Sequence, residues 1–278
     1  MSVPFALVEV VGIIAGRRDS SYLNYFNPGL PKYSGNGESY PGAYGYRLRK
    51  HFKMDQLERV CEALAKNTQT RQGVLQIWDP DADMPDINGS PTSGDIPCNI
   101  CSMLKIRNGR LFWTQIMRSN DLFRGTPYNF VQFTMLQEVL AGWLGVDLGG
   151  YTHLSDSLHI YETDGRKLES LSHLELPLNQ DDLRLPMQAS NSAWKALNEA
   201  VDALIASHLT ERQLEEIATL SVATPMRNIL LIICADSARR RGFGDLAAQL
   251  SLKCTNPVLA LGWHRWEARN ARRAVLPH

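Results

Sequence analysis

The sequence has few of the features that mark secreted, membrane-spanning or strongly charged proteins. Its five cysteines are an odd number without the spacing of a disulfide framework, which favours a reducing compartment. The apolar run at residues 229–235 is far too short to cross a bilayer. The apolar N-terminal stretch contains Glu9 and lacks a basic leader or a small-residue cleavage site, so we do not expect a signal peptide. Basic and acidic residues number 29 each, so net charge favours no class of partner. We therefore predict a soluble, cytoplasmic protein.

Hydrophobic periodicity and turn residues predict an α+β fold. Buried or amphipathic helices are predicted over residues 4–16, 53–66 and 128–145, and strands over residues 73–80 and 149–162. Residues 22–47 and 80–95 are rich in turn-forming residues and predict long loops. Apolar and polar residues alternate over residues 98–119, which follow the second of these loops. This pattern predicts two long strands joined by a hairpin turn at Asn108 and Gly109.

The character of the sequence changes near residue 186. The remaining chain is helical in pattern, with predicted helix starts near Ser190, Thr210 and Thr224, and it has nine Lys or Arg against three Asp or Glu from residue 226 onward. We predict a body over residues 1–185, with a mixed β-sheet packed by helices, and a basic helical extension over residues 186–278. The arginines at 239–241 are typical of a solvated helix end, so nucleic acid is not an expected partner.

Cys98 and Cys101 have the C-x-x-C spacing of a redox pair or half of a zinc site, or one of them is a nucleophile. Pro97 and a strand pattern surround Cys98, whereas redox pairs usually begin a helix whose dipole lowers a thiol pKa. Residues three apart in a strand point to opposite faces, which disfavours a shared metal or disulfide. No second C-x-x-C or histidine pair has ligand spacing, so we predict no metal site. One thiol remains as a candidate nucleophile; Cys101 and Cys61 are expected in the core.

A nucleophilic thiol needs a nearby cation that favours the thiolate. If the predicted hairpin forms, Arg118 lies at its open end close to Cys98. This pairing makes Cys98 the candidate nucleophile.

Several motifs, in order, resemble the thymidylate synthase superfamily of pyrimidine nucleotide C5 one-carbon transferases, which includes nucleotide hydroxymethylases. They are IPCN, RSNDLFRGTPYN and LHIY, preceded by VEVVGIIAG, GAYGYRLR and TRQGVLQIWDP. The resemblance covers about residues 5–165 and implies a thymidylate synthase-like fold. It also implies a homodimer with shared active sites.

The resemblance assigns five catalytic residues. Cys98 would add covalently to C6 of the pyrimidine, which makes C5 nucleophilic. Glu9 would act through water on proton transfers around O4 and C5, and Tyr44 would help to remove the C5 proton. Asn129 would bind the base edge, and Asp121 would hold the pterin ring of the cofactor.

The same resemblance assigns the nucleotide contacts. Arg118 and Ser119 would bind the phosphate, and Arg71 would reach a phosphate across the dimer interface. His159 and Tyr161 would hydrogen-bond the 3′-hydroxyl of the sugar. The implied substrate is a pyrimidine nucleoside monophosphate.

The implied cofactor is 5,10-methylenetetrahydrofolate, with Asp121, Gly125 and Tyr128 in its site. The amide of Asn129 both donates and accepts, which suits N3–H and O4 of uracil, whereas cytosine-using hydroxymethylases typically have Asp there. A dUMP-like substrate is therefore favoured. A CMP- or dCMP-type hydroxymethylase and a catalytically inactive nucleotide-binding module are the alternatives.

The sequence departs from the family pattern on both sides of the expected site. The Arg-bearing phosphate loop that precedes the Glu-bearing helix has no counterpart, unless Arg17 or Arg18 replaces it, and Gln72 stands where a second Arg is common. Asp95 and Arg124 occupy positions that are usually apolar beside the folate. No clear counterpart of the folate-stacking tryptophans or of the closing tail is found. A site without that lid admits water, which gives a hydroxymethyl in place of a methyl product, so methylation and hydroxymethylation both remain open.

Overall fold

The computed structural model describes residues 1–169 and 175–275. The strands in this part of the chain are β1 (Val74–Gln76), β2 (Asn99–Arg107), β3 (Arg110–Asp121) and β4 (Asp147–His159). The α-helices are α1 (Val3–Ala15), α2 (Ser21–Phe26), α3 (Pro31–Ser34), α4 (Tyr44–Tyr46), α5 (Gln56–Lys66), α6 (Pro80–Asp83), α7 (Thr126–Leu144), α8 (Glu162–Glu169), α9 (Met187–Leu204), α10 (Glu211–Ala218), α11 (Thr224–Arg240), α12 (Gly244–Leu252) and α13 (Pro257–Val275), with a π-helical turn at Arg47–His51. None of these described helices is long and apolar enough to cross a membrane.

The four strands form one mixed sheet in the order β1-β2-β3-β4. β2 pairs antiparallel with both β1 and β3, whereas β4 runs parallel to β3 after the α7 crossover. The predicted hairpin is confirmed: Asn108 and Gly109 have φ of 50° and 70°, as a two-residue turn with both residues left-handed requires. The predicted α+β class with a mixed sheet is confirmed.

The first helix is the centre of the helical layer. Its N-cap Ser2 accepts a hydrogen bond from the Phe5 N–H at 3.4 Å, and Gly16, with φ of 66°, ends it. Almost all of α1 is buried because α7, α9, α11 and α13 pack around it. Packing on several sides explains why α1 is apolar around its circumference and not along one stripe.

The helices after residue 186 share the core of the sheet-containing part. Buried side chains of α9, α11 and α13 belong to the same hydrophobic cluster as those of α1. The predicted start of α11 at Thr224 is confirmed, and Thr210 caps α10 in a reciprocal capping box with Gln213. The division into domains at residue 185 stays a prediction.

Two local expectations differ from the structure. The predicted loop at 22–47 contains the short helices α2, α3 and α4, because Tyr22 and Phe26 are anchored in the core and order the chain around them. In the predicted helix over 53–66 the apolar periodicity puts Met54 on one face with Leu57, Cys61 and Leu64, but Met54 is 52% exposed. The helix begins only at Gln56, where the Asp55 carboxylate accepts two backbone N–H groups, and Lys53 before it has φ of 58°.

One face of the sheet carries helices and the other is open in the described chain. Leu104 and Trp113 are buried under the helical layer. The strand register puts two rows of side chains on the opposite face: Val74, Met103, Thr114 and Thr152, and Gln76, Cys101, Ile116 and Leu154. Val74, Met103 and Leu154 in these rows are 47%, 41% and 52% exposed.

Candidate active site

A cleft of about 1120 Å³ opens between α1, the start of α7, the end of β3 and the segment before β2. Its walls include all the sequence-predicted site residues except Arg71. The predicted residues in the walls are Glu9, Tyr44, Cys98, Arg118, Ser119, Asp121, Gly125, Tyr128, Asn129, His159 and Tyr161. This volume slightly exceeds the range of about 300–1,000 Å³ that is typical of small-molecule sites.

The topology explains why residues distant in sequence meet here. The Arg118 N–H donates to the Cys98 carbonyl at 2.9 Å, which fixes the open end of the β2–β3 hairpin. Because β4 is parallel to β3, both strands end at the same edge, and Asp121 pairs with His159. The cleft therefore lies at the carboxyl ends of two parallel strands, a common place for a ligand site.

The guanidinium of Arg118 is tied to the chain that carries the thiol. Its Nε donates to the Pro97 carbonyl at 2.9 Å and its Nη2 to the Ile96 carbonyl at 3.3 Å, while the group lies 5.1 Å from the centre of the Trp78 ring. Burial raises the pKa of the Cys98 thiol, and Arg118 acts in the opposite direction. Burial outweighs the arginine, so Cys98 is a thiol at neutral pH before a ligand binds.

The remaining cysteines differ from Cys98 in position. All five are free thiols, and Cys61 is buried as predicted. Cys101 lies on the open face of the sheet and is partly exposed, so the expectation of a core position is wrong. Across the residues that the structure describes, no group of three or more His, Cys, Asp or Glu side chains is placed to hold a metal ion.

A buried carboxyl and a buried amide face the ligand space from the helices. Glu9 is the single charged residue of α1, and burial raises its pKa to about 8, although a hydrogen bond with Gln132 lowers it. Glu9 Oε2 and Gln132 Oε1 are buried and have no hydrogen-bond partner in the protein. Burial, together with the nearby Cys98 and Glu9, raises the pKa of Tyr44 well above its usual value. Near neutral pH both Glu9 and Tyr44 therefore hold their protons.

The two carboxylate oxygens of Asp121 differ in their hydrogen bonds to the described protein. Its Oδ1 accepts backbone N–H groups of Phe123 (2.8 Å) and Arg124, which fixes the loop between β3 and α7. Its Oδ2 is buried without a hydrogen-bond partner. A buried, unpaired carboxylate oxygen is costly, so this atom is suited to a ligand that donates a hydrogen bond.

The rim near Tyr161 is polar, as the unusual residues in the sequence predicted. Arg124 forms an ion pair with the buried Asp164 at 2.5 Å, and its guanidinium lies 4.8 Å from the centre of the Tyr161 ring. Asp95 accepts the Gly42 N–H at 2.7 Å, and burial raises its pKa. Charged groups thus stand at the edge of the cleft where the family resemblance implies apolar ones.

Sequence reasoning missed Trp78, which lines the cleft beneath Arg118. The sequence did contain a signal for it: a tryptophan that follows a strand and precedes Pro80 lies where the chain departs from the edge of the sheet, which is a common place for ligand contacts. The sequence also offered Arg17 as a replacement phosphate ligand, but its guanidinium is paired with Asp19 and Asp202, both at 2.7 Å. This arginine is committed to two carboxylates and does not fit that role.

One cleft at the end of the mixed sheet thus brings together a thiol, a guanidinium and an amide. The model of the thymidylate synthase family matches residues 2–215. This match covers most of the chain, and the chain belongs to the thymidylate synthase family. The family predicted from the sequence is confirmed.

Among similar proteins are enzymes with two different names. The deoxyuridylate hydroxymethyltransferase of Pseudomonas phage M6 is 38% identical over 172 residues, which are 61% of this chain and 48% of that protein. That of Bacillus phage SP01 is 37% identical over 171 residues, 58% of this chain and 44% of that protein. The putative thymidylate synthase of Methanothermobacter thermautotrophicus is 36% identical over 138 residues, 50% of this chain and 59% of that protein. The chain thus spans about half the length of the phage relatives.

Solved structures support the fold. Thymidylate synthase from T4 phage has a TM-score of 0.56 at 19% identity, over 70% of this chain and 75% of that one. Thermostable thymidylate synthase A from Bacillus subtilis has a TM-score of 0.52 at 22% identity, over 63% of this chain and 65% of that one. The predicted thymidylate synthase-like fold is confirmed.

Proposed function

We propose that this protein transfers a one-carbon unit to C5 of a pyrimidine nucleotide, and that its reaction is the hydroxymethylation of dUMP. The observation that carries the proposal is the convergence of Cys98, Arg118, Glu9 and Asn129 on one cleft. Binding alone does not require a thiol beside a guanidinium and a buried acid. The names of the phage relatives supply the substrate.

In the proposed complex the nucleotide extends along the end of the sheet. Arg118 and Ser119 bind the phosphate, because they stand together at the end of β3 with a guanidinium and a hydroxyl toward the cleft. His159 and Tyr161, whose rings meet edge to face at 5.7 Å, bind the sugar hydroxyl. Asn129 binds the N3–H and O4 edge of the base.

The protonation states found in the cleft fit the order of the reaction. The Cys98 thiol passes its proton to water in the cleft and ionises beside Arg118, and its Sγ forms a bond to C6 while the C5–C6 electrons move toward O4. The Glu9 carboxyl still holds its proton near neutral pH, so it can donate toward O4 through water. Tyr44 also stays protonated, so it assists removal of the C5 proton as a hydrogen-bond partner and not as the base.

The residues present fit methylenetetrahydrofolate. Asp121 Oδ2, buried and unpaired, is an acceptor for the N–H groups of a pterin. At Gly125 a Cβ would come within 3.0 Å of Asn120 Oδ1, so the glycine leaves room beside Asp121. Tyr128 and Trp78 offer aromatic surface in the same cleft. When bound, this cofactor supplies the one-carbon unit.

Water access favours hydroxymethyl as the product. Glu9 Oε2 and Gln132 Oε1, two buried oxygens without partners in the protein, can hold a water molecule inside the cleft, since the protonated carboxyl can donate to it and the amide oxygen can accept from it. The polar rim formed by Arg124 and Asp164 also holds solvent near the entrance. Water that adds to the exocyclic methylene of the nucleotide gives a hydroxymethyl group, whereas exclusion of water would leave this carbon to be reduced to methyl by the hydride that tetrahydrofolate supplies when bound.

The test is release of tritium from dUMP labelled at C5, with methylenetetrahydrofolate, followed by mass analysis of the product. We expect release by wild type and by Cys101→Ala, a matched control for the same spacing motif, and none by Cys98→Ala. A hydroxymethylated product supports the full proposal; a methylated one corrects the reaction to that of a thymidylate synthase. Nucleotide binding without tritium release would identify an inactive binding module.

The open sheet face supports the proposed homodimer. The rows that include Val74, Met103 and Leu154 expose apolar side chains on a flat surface without a helical cover in the described chain. Burial of such a face against a second copy is favourable. Arg71 is exposed just before β1 and outside its own cleft, which suits a role in the partner's site.

A mixing experiment tests the shared site. Arg71→Ala and Cys98→Ala homodimers should each have little activity, whereas a mixed population regains about a quarter of the wild-type activity, because half of the dimers have one intact site. Recovery requires that the two residues serve one site from different subunits. A monomer by light scattering, or no recovery after verified subunit exchange, would contradict the shared site.

A further inference from the structure

A chain of buried and partly buried hydrogen bonds leads from the cleft into the sheet. Asn129 Nδ2 donates to Asn120 Oδ1 at 3.0 Å, and Asn120 Nδ2 contacts His153 Nε2 at 2.9 Å and Ser155 Oγ at 3.1 Å. Beyond the histidine, the Tyr151 hydroxyl lies 2.9 Å from Nδ1. Asn120 and Asn129 are 2% and 6% exposed, so each depends on these partners.

The donors and acceptors of this chain match when His153 is neutral. Its Nε2 then accepts from Asn120, and its Nδ1–H donates to the Tyr151 oxygen. Burial lowers the pKa of His153, which favours this neutral form. The ring is held by stacking on Phe130 with the ring centres 4.9 Å apart.

The orientation of the Asn129 amide decides which base edge it matches. An amide nitrogen has two N–H groups; one donates to Asn120, and the other remains beside Oδ1 for a ligand. This edge complements uracil, whose N3–H donates and whose O4 accepts. The same amide turned by half a rotation complements cytosine, whose N3 accepts and whose amino group donates. Asn129 alone can therefore serve either base.

We propose that Asn120, held by His153, is a specificity-determining positioning residue that fixes the Asn129 amide in the orientation for uracil. Asn120 presents an oxygen to Asn129, so the turned amide would bring two oxygens together. Asn120 itself is held by the acceptors His153 and Ser155 on β4. This inference rests on the proposed nucleotide function and adds to it the device that selects the base.

The test compares the dissociation constants of dUMP and dCMP by calorimetry, without cofactor. We expect Asn120→Ala to reduce the preference for dUMP by about tenfold or more, since an unfixed amide adapts to either base. Asn120→Asp keeps an acceptor toward Asn129, and its second oxygen can accept from the Ser155 hydroxyl and from the other tautomer of His153, so it should retain the preference within about threefold although it buries a charge. Ser157→Ala, at an exposed position of the same strand outside this chain of hydrogen bonds, is the matched control and should behave as wild type.

The outcomes distinguish failure of this inference from failure of the proposed function on which it rests. A preference lost in Asn120→Ala and retained in Asn120→Asp supports the positioning role, because a merely structural asparagine would tolerate the charged variant worse. An unchanged preference in both Asn120→Ala and His153→Leu would overturn it. If wild type itself binds dUMP and dCMP equally, the proposed preference for a uracil substrate is contradicted, whatever the two variants do.

Discussion

Replacement of Glu9 by glutamine is expected to make the stability of the protein less dependent on pH. The folded protein raises the pKa of this buried carboxyl from 4.5 to about 8, so the folded state binds the proton more tightly than the unfolded state does. Stability contributed by the protonated group is therefore complete below pH 4.5 and is lost as the pH rises toward about 8. The glutamine variant has no proton to lose and keeps its stability over this range.

The magnitude follows from the two pKa values. Between about pH 5 and about pH 7.5, wild type should lose about 3 kcal/mol relative to Glu9→Gln, at ~1.4 kcal/mol per pKa unit. For a chain of this size that corresponds to a change of roughly 6–12 °C in the difference between the two melting temperatures.

Thermal and urea unfolding of both proteins at the two pH values measure this difference. Glu215→Gln, at an exposed position, is the control for the chemical change itself and should show no such dependence. If the stability difference between wild type and Glu9→Gln is the same at both pH values, the carboxyl is not held protonated by burial, and its proposed role as a proton donor loses its basis.

Three further predictions concern the base, the core and the cleft. Asn129→Asp should shift the ratio of kcat/KM from dUMP toward dCMP by about 10- to 100-fold, because a protonated carboxyl can donate to N3 of cytosine and accept from its amino group. Asp83→Ala should cost about 3–5 kcal/mol in urea unfolding, because Arg47, paired with it at 2.7 Å and 1% exposed, would be left as a buried unpaired charge. Gly45→Ala should lower kcat about tenfold or more and cost ~1–3 kcal/mol, since a Cβ there would come within 2.6 Å of the α1 backbone and displace the neighbouring Tyr44.

Each of these has a comparison that isolates its cause. Asn129→Asp should bind inorganic phosphate as wild type does, and a uniform loss for both nucleotides would contradict a role in base choice. Glu62→Ala breaks an exposed ion pair with Arg59 and should lower the free energy of unfolding by less than about 1 kcal/mol. If Asp83→Ala lowers it by no more than that, the Arg47 pair does not behave as a buried ion pair. Gly244→Ala has open space around the new Cβ and should leave kcat unchanged.

Features that depend on neighbours along the chain were predictable. The turn at Asn108 and Gly109 needs two left-handed residues, and these residue types adopt that conformation at low cost, so the hairpin and its register followed from local chemistry. The ends of α1 and α7 likewise lie at Gly16 and Gly145, with φ of 66° and 64°. The motif that includes Arg118 and Asp121 identified the family for the same reason, since its residues are close in sequence.

The boundaries of weakly patterned segments were not predictable from local signals. Residues 22–47 contain so many turn-forming residues that their composition predicts a loop, yet Tyr22 and Phe26 are anchored in the core and impose short helices there. Met54 fits the periodicity of a helical face, but the Asp55 cap starts the helix after it. In both segments long-range packing or a side-chain cap outweighs the apolar pattern.

By itself, the sequence determined the mixed α+β fold and the family, and it predicted a set of site residues of which all but Arg71 line one cleft. Only the tertiary structure decided the state of such residues: a protonated Glu9, a thiol at Cys98, an Arg17 paired with two carboxylates and an Asn129 amide hydrogen-bonded to Asn120. The physical reason is that residue identity is written in the chain, whereas desolvation, charge pairing and amide orientation depend on atoms that are distant in sequence.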